Sequence, residues 1–111
     1  MAAGSKVTIT VFAENVPLLP EVLDSVQMGL VPAGSFSNRN YCAQQIRQSK
    51  AIDPMLLDIL ADAQTSGGLL ISLPEHRASA LLDDLKANGD SPDAAIIGRA
   101  GAPGVELIEL G

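Results

Sequence analysis

LADAQTSGGLLISL, residues 60–73, is the stretch that most constrains the fold. Its Thr65-Ser66-Gly67-Gly68 segment interrupts a preceding helical pattern, because paired glycines and short hydroxyl side chains favour turns over helix. The run from Leu69 to Leu73 is apolar over most of its length and is bounded by Pro74. Such a run is typical of a buried central strand. The stretch therefore predicts a helix that ends just before the glycine pair and a strand inside a sheet.

Helices are predicted on both sides of this stretch. Upstream, Asp53 and Pro54 are residue types favoured at the N-cap and the first helical position, and leucines recur on one face behind them. Downstream, residues 75–89 carry an apolar stripe at helical spacing. Glu75 suits the positive end of that helix, and Asn88-Gly89 suits its termination. These two segments give the clearest helical patterns in the chain.

Closer to the N-terminus, one more helix and a long connection are predicted. Apolar residues in 19–26 recur at helical spacing, with Pro20 in the first turn and Gly29 just past the end. From residue 30 to residue 48 the periodicity is lost, and the composition is rich in Pro, Gly, Ser and Asn. Long loops in compact domains are usually functional or pack against something. We therefore expect a loop with a role of its own.

Strands are predicted at both ends of the chain. Residues 6–12, KVTITVF, alternate Val7, Ile9 and Val11 with more polar positions, which indicates a half-buried strand. Residues 93–99 and 105–110 are two further strand candidates, and the Gly- and Pro-containing segment between them predicts an antiparallel hairpin. Strands mixed with helices in this order predict a single α+β domain, a layered sandwich related to the ferredoxin-like arrangement.

Composition excludes several classes of protein. The formal charge is −6, and the 7 basic residues are spread along the chain. No cationic stripe is available for nucleic acid or for an anionic membrane. No apolar run approaches the roughly 20 residues of a membrane-spanning helix. The single cysteine, Cys42, excludes an internal disulfide and a multi-cysteine metal site. We expect a cytoplasmic protein that binds neither nucleic acid nor membrane.

Two polar segments are candidate binding sites. Residues 64–68, QTSGG, offer hydroxyls and glycine backbone of the kind that lines phosphate sites, but they run from helix into strand, the reverse of a phosphate-binding loop. Spacing alone favours a simple helix stop. In residues 38–40, Asn-Arg-Asn, Arg39 could hold an anion through both arms of its guanidinium. Spacing alone favours a solvated loop arginine.

The remaining polar residues do not form a catalytic set. Cys42 would need a base to become a nucleophile, and the only histidine, His76, lies at the predicted start of a distant helix. Asp58 and Asp62 are four residues apart on one helix and share a face that could hold Mg²⁺. Two carboxylates alone are a weak metal signal. From the residues alone we predict no catalytic residue and no metal ligand in this chain.

Three segments resemble one family. Residues 60–71, LADAQTSGGLLI, are similar to the D-P-Q-T-S-G-G-L-L signature of selenide, water dikinases, also called selenophosphate synthetases. Residues 29–35, GLVPAGS, followed by residues 38–40, resemble a second feature of that family, G-x-V-P-G-G-T or P-A-G leading to R-N. Residues 95–99, AIIGR, resemble its closing A-x-x-I-G strand. All three occur in the family's order, and the first is quite specific.

The resemblance covers residues 6–110 and the C-terminal domain of the family only. Two residues depart from the pattern: Ala63 stands where Pro is usual, and Ala33 stands where Gly is common. Neither change removes a hydroxyl or a paired glycine. The resemblance implies that residues 6–111 form this C-terminal domain and that residues 1–5 are a flexible or added start. It also implies the α/β/α sandwich of the aminoimidazole ribonucleotide synthetase-like C-terminal domains.

Enzymes of this family make selenophosphate from selenide, ATP and water, release AMP and phosphate, and use Mg²⁺. The resemblance implies that the reactive Cys or selenocysteine, its Lys, the ATP-binding glycines and the metal-binding aspartates belong to an N-terminal domain. None of these motifs occurs in this sequence. The expected partners are that N-terminal domain and, for the whole enzyme, a second copy. On its own, the chain is expected to be inactive and to bind neither ATP nor Mg²⁺.

The resemblance also implies that two loops form one wall of the nucleotide cleft. The candidate cleft-facing residues are Asn38, Arg39, Asn40, Thr65, Ser66, Gly67 and Gly68. Two alternatives stay open. One is the equivalent domain of a related ATP-dependent enzyme, such as a thiamine-phosphate or aminoimidazole ribonucleotide kinase or synthetase. The other is a stand-alone regulatory module that binds a small ligand.

Overall fold

The computed structural model describes residues 1–64, 66–89 and 91–111. Thr65, which is predicted in the turn and among the cleft-facing residues, lies outside the described residues. The helices are α1 (Ala2–Ser5), α2 (Val22–Gln27), α3 (Ala33–Cys42), α4 (Pro54–Leu60) and α5 (Glu75–Ala87). The strands are β1 (Thr8–Val11), β2 (Ile46–Gln48), β3 (Gly98–Gly101) and β4 (Ile108–Leu110). Helices beside a mixed sheet confirm the predicted α+β class.

The four strands form one sheet in the order β2-β4-β1-β3. β1 runs antiparallel to β3 and parallel to β4, and β4 runs parallel to β2. The predicted strand near the N-terminus is confirmed. The predicted hairpin is wrong, because β1 lies between β3 and β4. The first of the two hairpin strands also begins later than expected, at Gly98 rather than at residue 93.

The register divides the sheet into two chemically different faces. Directly opposed residues lie on the same face. Ile9, Ile108 and Ile46 are opposed across three strands and form an apolar row. The next row is polar and crosses all four strands, because Thr10 is opposed to Arg99 and Glu109, and Glu109 is opposed to Arg47. The alternation seen in the sequence of β1 therefore continues through its neighbours.

Thr8 departs from that alternation. It belongs to the polar set, yet it is buried, whereas Ile9 and Val11 are half-buried. Its hydroxyl donates to the Glu106 carbonyl at 2.8 Å and accepts from the Gly104 N–H at 2.8 Å. A buried hydroxyl costs little free energy when both of its hydrogen-bonding roles are satisfied. Thr8 thus fixes the chain that leads into β4 against the start of β1.

The two clearest helical predictions are confirmed. Asp53 caps α4, with its carboxylate accepting from the Met55 N–H at 2.8 Å, and Pro54 is the first helical residue. α5 occupies the predicted segment and ends at Ala87. The helix near residues 19–26 is confirmed from Val22, and Gly29 follows it with φ of +79°. Pro20 lies outside that helix rather than in its first turn.

Two other expectations are wrong. Residues 30–48 are not a continuous loop, because they contain α3, a short 3-10 turn at Ala43–Gln45 and β2. Residues 69–73 are not a buried strand, because they have no strand partner in the described part of the chain. Leu69 is 92% exposed. An apolar run indicates that the side chains of a segment favour burial. It does not indicate whether the residues that bury them belong to the same domain.

α4 lies against two of the other helices. It contacts α2 on one side and α3 on the other. A groove of about 270 Å³ lies at the α2 contact, where Leu23, Met55 and Leu56 line it with neighbouring apolar residues. The α3 contact is polar and is described below. In the described residues, no helix is long and apolar enough to cross a membrane.

Candidate functional site

The contact between α3 and α4 involves one predicted binding segment and lies just before the other in sequence. One segment, residues 38–40, lies in the second half of α3. The other, residues 64–68, begins four residues after α4 ends at Leu60. We call the contact between residues 34–39 and residues 58–63 the α3–α4 junction. Its geometry decides which predicted residues face solvent and which are used to hold the fold.

Ser35 is the most deeply enclosed residue of the junction. It is 0% exposed, and its hydroxyl donates to Oδ1 of Asp62 at 3.0 Å. Beside Ser35, Gly34 lies very close to the segment that follows α4. A Cβ added to Gly34 would lie 3.0 Å from the Ala63 Cβ. That separation is tighter than ordinary carbon–carbon contact. The N-terminal turn of α3 is therefore seated directly against the chain that leaves α4.

Asn38 holds the end of α4. Its Nδ2 donates to the Ala61 carbonyl at 3.0 Å. Ala61 is the residue that follows the last turn of α4, where carbonyls have no partner within the helix. The side chain thus satisfies one of these carbonyls from outside. Of the predicted cleft-facing residues, Asn38 is one whose amide is already used in a contact inside the domain.

Arg39 is likewise held in an ion pair. Its Nη1 lies 2.6 Å from Oδ1 of Asp58. The Asp58 side chain is 15% exposed and the Arg39 side chain is 41% exposed, so the carboxylate is the more enclosed partner. The remaining donors of the guanidinium are partly open to water. Arg39 therefore contributes first to the junction, and a ligand would meet only its outer edge.

Asp58 of α4 and Asp62, two residues after its end, do not form a free cation site. Asp58 faces Arg39 and Asp62 faces Ser35, so each carboxylate is already paired with α3. Mg²⁺ prefers several oxygen ligands in near-octahedral geometry. Across residues 1–64, 66–89 and 91–111, no three acidic, histidine or cysteine side chains are grouped as a metal site would require. Within that part of the chain, the side chains do not form a set that fits a resident Mg²⁺.

The glycine-pair segment, defined as Ser66–Gly68, is exposed throughout. The chain enters it through a turn in which the Gln64 N–H donates to the Asp62 carbonyl at 3.0 Å. The Gln64 amide oxygen then lies 3.2 Å from the point that a Cβ on Gly67 would occupy. This arrangement presents a hydroxyl and glycine backbone to solvent. Such groups can hydrogen-bond anionic oxygens, but they supply no acid or base.

The other residues weighed from sequence lie apart from this arrangement. Asn40 is exposed on α3. Cys42 is a free thiol at the last residue of the same helix and is half-buried. His76 is exposed in the first turn of α5. In the described part of the chain, neither the Cys42 thiol nor the His76 imidazole makes a hydrogen bond to the junction. The described contacts of the junction thus hold α3 against residues 58–63.

A comparison with protein families gives one match over nearly the whole chain. The family is described as "AIR synthase related protein, C-terminal domain", and its model matches residues 1–109. The chain belongs to this family. The membership agrees with the α+β sheet and with the resemblance carried by residues 60–71 and 29–40.

Curated relatives are more specific. The selenide, water dikinase of Clostridioides difficile (strain 630) is 39% identical over 110 residues, which cover 99% of this chain and 31% of that protein. The one from Clostridium botulinum (strain Eklund 17B / Type B) is 41% identical over 99 residues, covering 89% and 28%. The one from Nitratidesulfovibrio vulgaris (strain DP4) is 44% identical over 84 residues, covering 76% and 23%. The predicted resemblance is confirmed, and the chain spans less than a third of these relatives.

Sequence reasoning missed Ser35 and the roles of Asp58 and Asp62. A signal was present, because Ser35 and Arg39 are four residues apart on α3, and Asp58 and Asp62 are also four residues apart, in α4 and just after its end. Residues at this spacing lie on one face of a helix. Two segments with matched pairs can join at both positions, 35 to 62 and 39 to 58. The pattern was visible only if residues 33–42 were recognised as a helix.

Proposed function

We propose that this chain acts as the C-terminal domain of an ATP-dependent selenide, water dikinase. In that role the enzyme converts selenide, ATP and water into selenophosphate, AMP and phosphate in the cytoplasm, with Mg²⁺. The chain supplies one wall of the nucleotide cleft, and a separate N-terminal domain supplies the reactive groups. The whole enzyme pairs with a second copy. The names of the relatives and the family membership support this proposal.

The observation that carries the proposal is the uncovered surface around residues 66–71. Leu69 is 92% exposed, Leu70 59% and Ile71 50%, directly after the glycine pair. The whole chain exposes 8096 Å², about 2,300 Å² more than the roughly 5,800 Å² of a compact 11.5 kDa protein. Interfaces between domains of one protein bury about 600–1,500 Å². The excess is large enough for a neighbouring domain to cover.

The candidate residues then have a positioning role. Ser66, Gly67 and Gly68 offer a hydroxyl and backbone N–H groups at the edge of this surface, with Arg39 and Asn40 on the neighbouring helix. Phosphoryl transfer depends on positioning and on fixed dipoles aimed at the phosphate oxygens. The apolar residues that follow would exclude water once covered. Because Asp58 and Asp62 are paired with α3, Mg²⁺ would be held by residues outside this chain.

A domain graft tests the proposal. The segment of the Clostridioides difficile relative that aligns with this chain is replaced by this chain, and selenide-dependent formation of AMP from ATP is measured. We expect activity within about tenfold of the parent enzyme, and a graft that folds yet forms no AMP would refute the assignment. The chain on its own should form no AMP and should bind MgATP more weakly than micromolar in calorimetry, since it offers no closed nucleotide site.

The same graft separates the alternatives. A domain of another ATP-dependent synthetase in this family would fold in the graft without supporting selenide-dependent turnover. A stand-alone regulatory module would bind a metabolite saturably as the isolated chain. We favour the dikinase assignment because relatives from three genera carry that name and match 76–99% of this chain.

A further inference from the structure

We infer that Ser35 and Asp62 are positioning residues that set the path of the glycine-pair segment from the neighbouring helix. What that segment does once positioned rests on the proposed function, but the positioning itself does not. Two segments of the sequence are involved. One is the Pro-Ala-Gly-Ser run at residues 32–35, and the other is the glycine pair at residues 67–68. In the structure the first segment holds Asp62, five residues before the glycine pair.

The Ser35–Asp62 bond is the strongest part of this link. A serine hydroxyl that is 0% exposed has to find its partner inside the protein, and here the partner is the Asp62 carboxylate at 3.0 Å. Hydrogen bonds to a charged group are stronger than those between neutral groups. Ser37, two residues along the same helix, bonds only back to its own helix, at the Ala33 carbonyl.

Asp62 is fixed at its backbone as well as at its side chain. Its carbonyl accepts from the Gln64 N–H, and its own N–H donates to the Ile59 carbonyl at 3.1 Å. The next residue, Ala63, is confined by the close approach of Gly34. Residues 62–64 are therefore held in succession, and the Ser35 hydroxyl is one of the groups, beside the Asn38 amide, that tie this turn to α3.

This arrangement predicts that a change on α3 alters the motion of residues that it does not touch. In a ¹⁵N-labelled sample of the chain, the backbone order parameters of Gly67 and Gly68 report that motion on the fast timescale. We expect values typical of ordered backbone in the parent. Ser35→Ala and, independently, Asp62→Ala should lower them toward the roughly 0.6 that marks flexible backbone.

Two variants serve as matched controls. Ser37→Ala removes a hydroxyl that bonds to the Ala33 carbonyl of its own helix and not to residues 58–63. Asp62→Asn keeps an oxygen that can accept from Ser35. Both should leave the order parameters of the glycine pair within error of the parent. The order parameters of α5 should not change in any variant, which separates local release from general loosening of the domain.

The inference is overturned if Ser35→Ala and Asp62→Ala leave the glycine pair as ordered as in the parent, even where they lower overall stability. It is also overturned if the parent already has order parameters below about 0.6 there. If Ser35→Ala does not fold, Asp62→Ala and Asp62→Asn decide the question, because residue 62 lies in a turn and is only half-buried. An inactive domain graft combined with the expected order parameters would reject the proposed function and leave this inference standing.

Discussion

The ion pair between Arg39 and Asp58 allows a quantitative test of the α3–α4 junction. The test compares Arg39→Ala, Asp58→Ala and the double variant with the parent chain. The two partners differ in exposure, since the Asp58 side chain is 15% exposed and the Arg39 side chain 41% exposed. Their removal should therefore have unequal effects. This asymmetry distinguishes a junction that holds the helices together from an ordinary surface pair.

The expected magnitudes follow from what each variant leaves behind. Arg39→Ala leaves an enclosed carboxylate without its partner, which should lower the free energy of unfolding by about 2 kcal/mol. Asp58→Ala leaves a guanidinium that can turn toward water, so its cost should be about 1 kcal/mol. Because Arg39 is well exposed, solvent screening limits the coupling between the two residues to about 1 kcal/mol. The double variant should then cost about as much as Arg39→Ala alone.

Urea unfolding followed by circular dichroism provides the measurement. With a slope of about 1.3 kcal/mol per molar urea for a chain of this size, Arg39→Ala should shift the midpoint by roughly 1.5 M. Raising the salt concentration should reduce the difference between variants only partly, because enclosed pairs are screened less than exposed ones. A coupling energy below about 0.3 kcal/mol, or a larger loss for Asp58→Ala than for Arg39→Ala, would refute the reasoning.

Three further changes are tested by the same unfolding experiment. Gly98→Ala should destabilise the chain by about 2 kcal/mol, because the new Cβ would collide with the Thr10 carbonyl, whereas Gly101→Ala meets its nearest atom at 4.0 Å and should be nearly neutral. Equal effects would contradict the strand pairing. Asp53→Ala should cost about 1 kcal/mol through loss of the α4 cap, and Asp53→Asn should recover most of it. Leu69→Ser should change stability by less than about 0.5 kcal/mol, since the side chain is exposed; a loss of about 2 kcal/mol or more would show that it is buried.

Helices with local signals were predictable from the sequence. α4 begins with Asp53 and Pro54, and α5 lies between Glu75 and Asn88-Gly89. Capping and helix termination depend on a few neighbouring residues, so they can be recognised without knowing the rest of the fold. For the same reason Gly29 marks the end of α2, although the start of that helix, at a left-handed Glu21, was placed too early.

α3 was missed because an apolar stripe does not stabilise it. Its sequence, AGSFSNRNYC, is mostly polar and small, and its one fully buried residue is Ser35. Side-chain bonds from Ser35, Asn38 and Arg39 to residues 58–62, at the end of α4 and just after it, hold it instead. Hydrophobic periodicity cannot detect such a helix, since the interactions that stabilise it involve a partner elsewhere in the chain. The same interactions pair the carboxylates of Asp58 and Asp62 with α3.

The pairing of strands had no local signal either. Sequence proximity suggested that β3 pairs with β4, but β1, from the other end of the chain, lies between them. The apolar character of residues 69–73 indicates that these side chains favour burial. No pattern within the segment indicates which other residues bury them. The candidate cleft-facing residues remain a prediction, of which the structure now shows that Asn38 and Arg39 already bond to α4.

The place of β4 in the sheet has a consequence for how the protein is made. Residues 108–110 separate β1 from β2, so a nascent chain that has not yet reached Ile108 cannot connect the two halves of its sheet. During synthesis, one edge of β1 keeps its backbone N–H and C=O groups unpaired until β4 is made. Pairing between strands so distant in sequence also forms slowly. An unpaired strand edge can pair with strands of other chains and so promote aggregation. Ribosome-bound chains that stop short of residue 108 should therefore depend on chaperones far more than chains that include it.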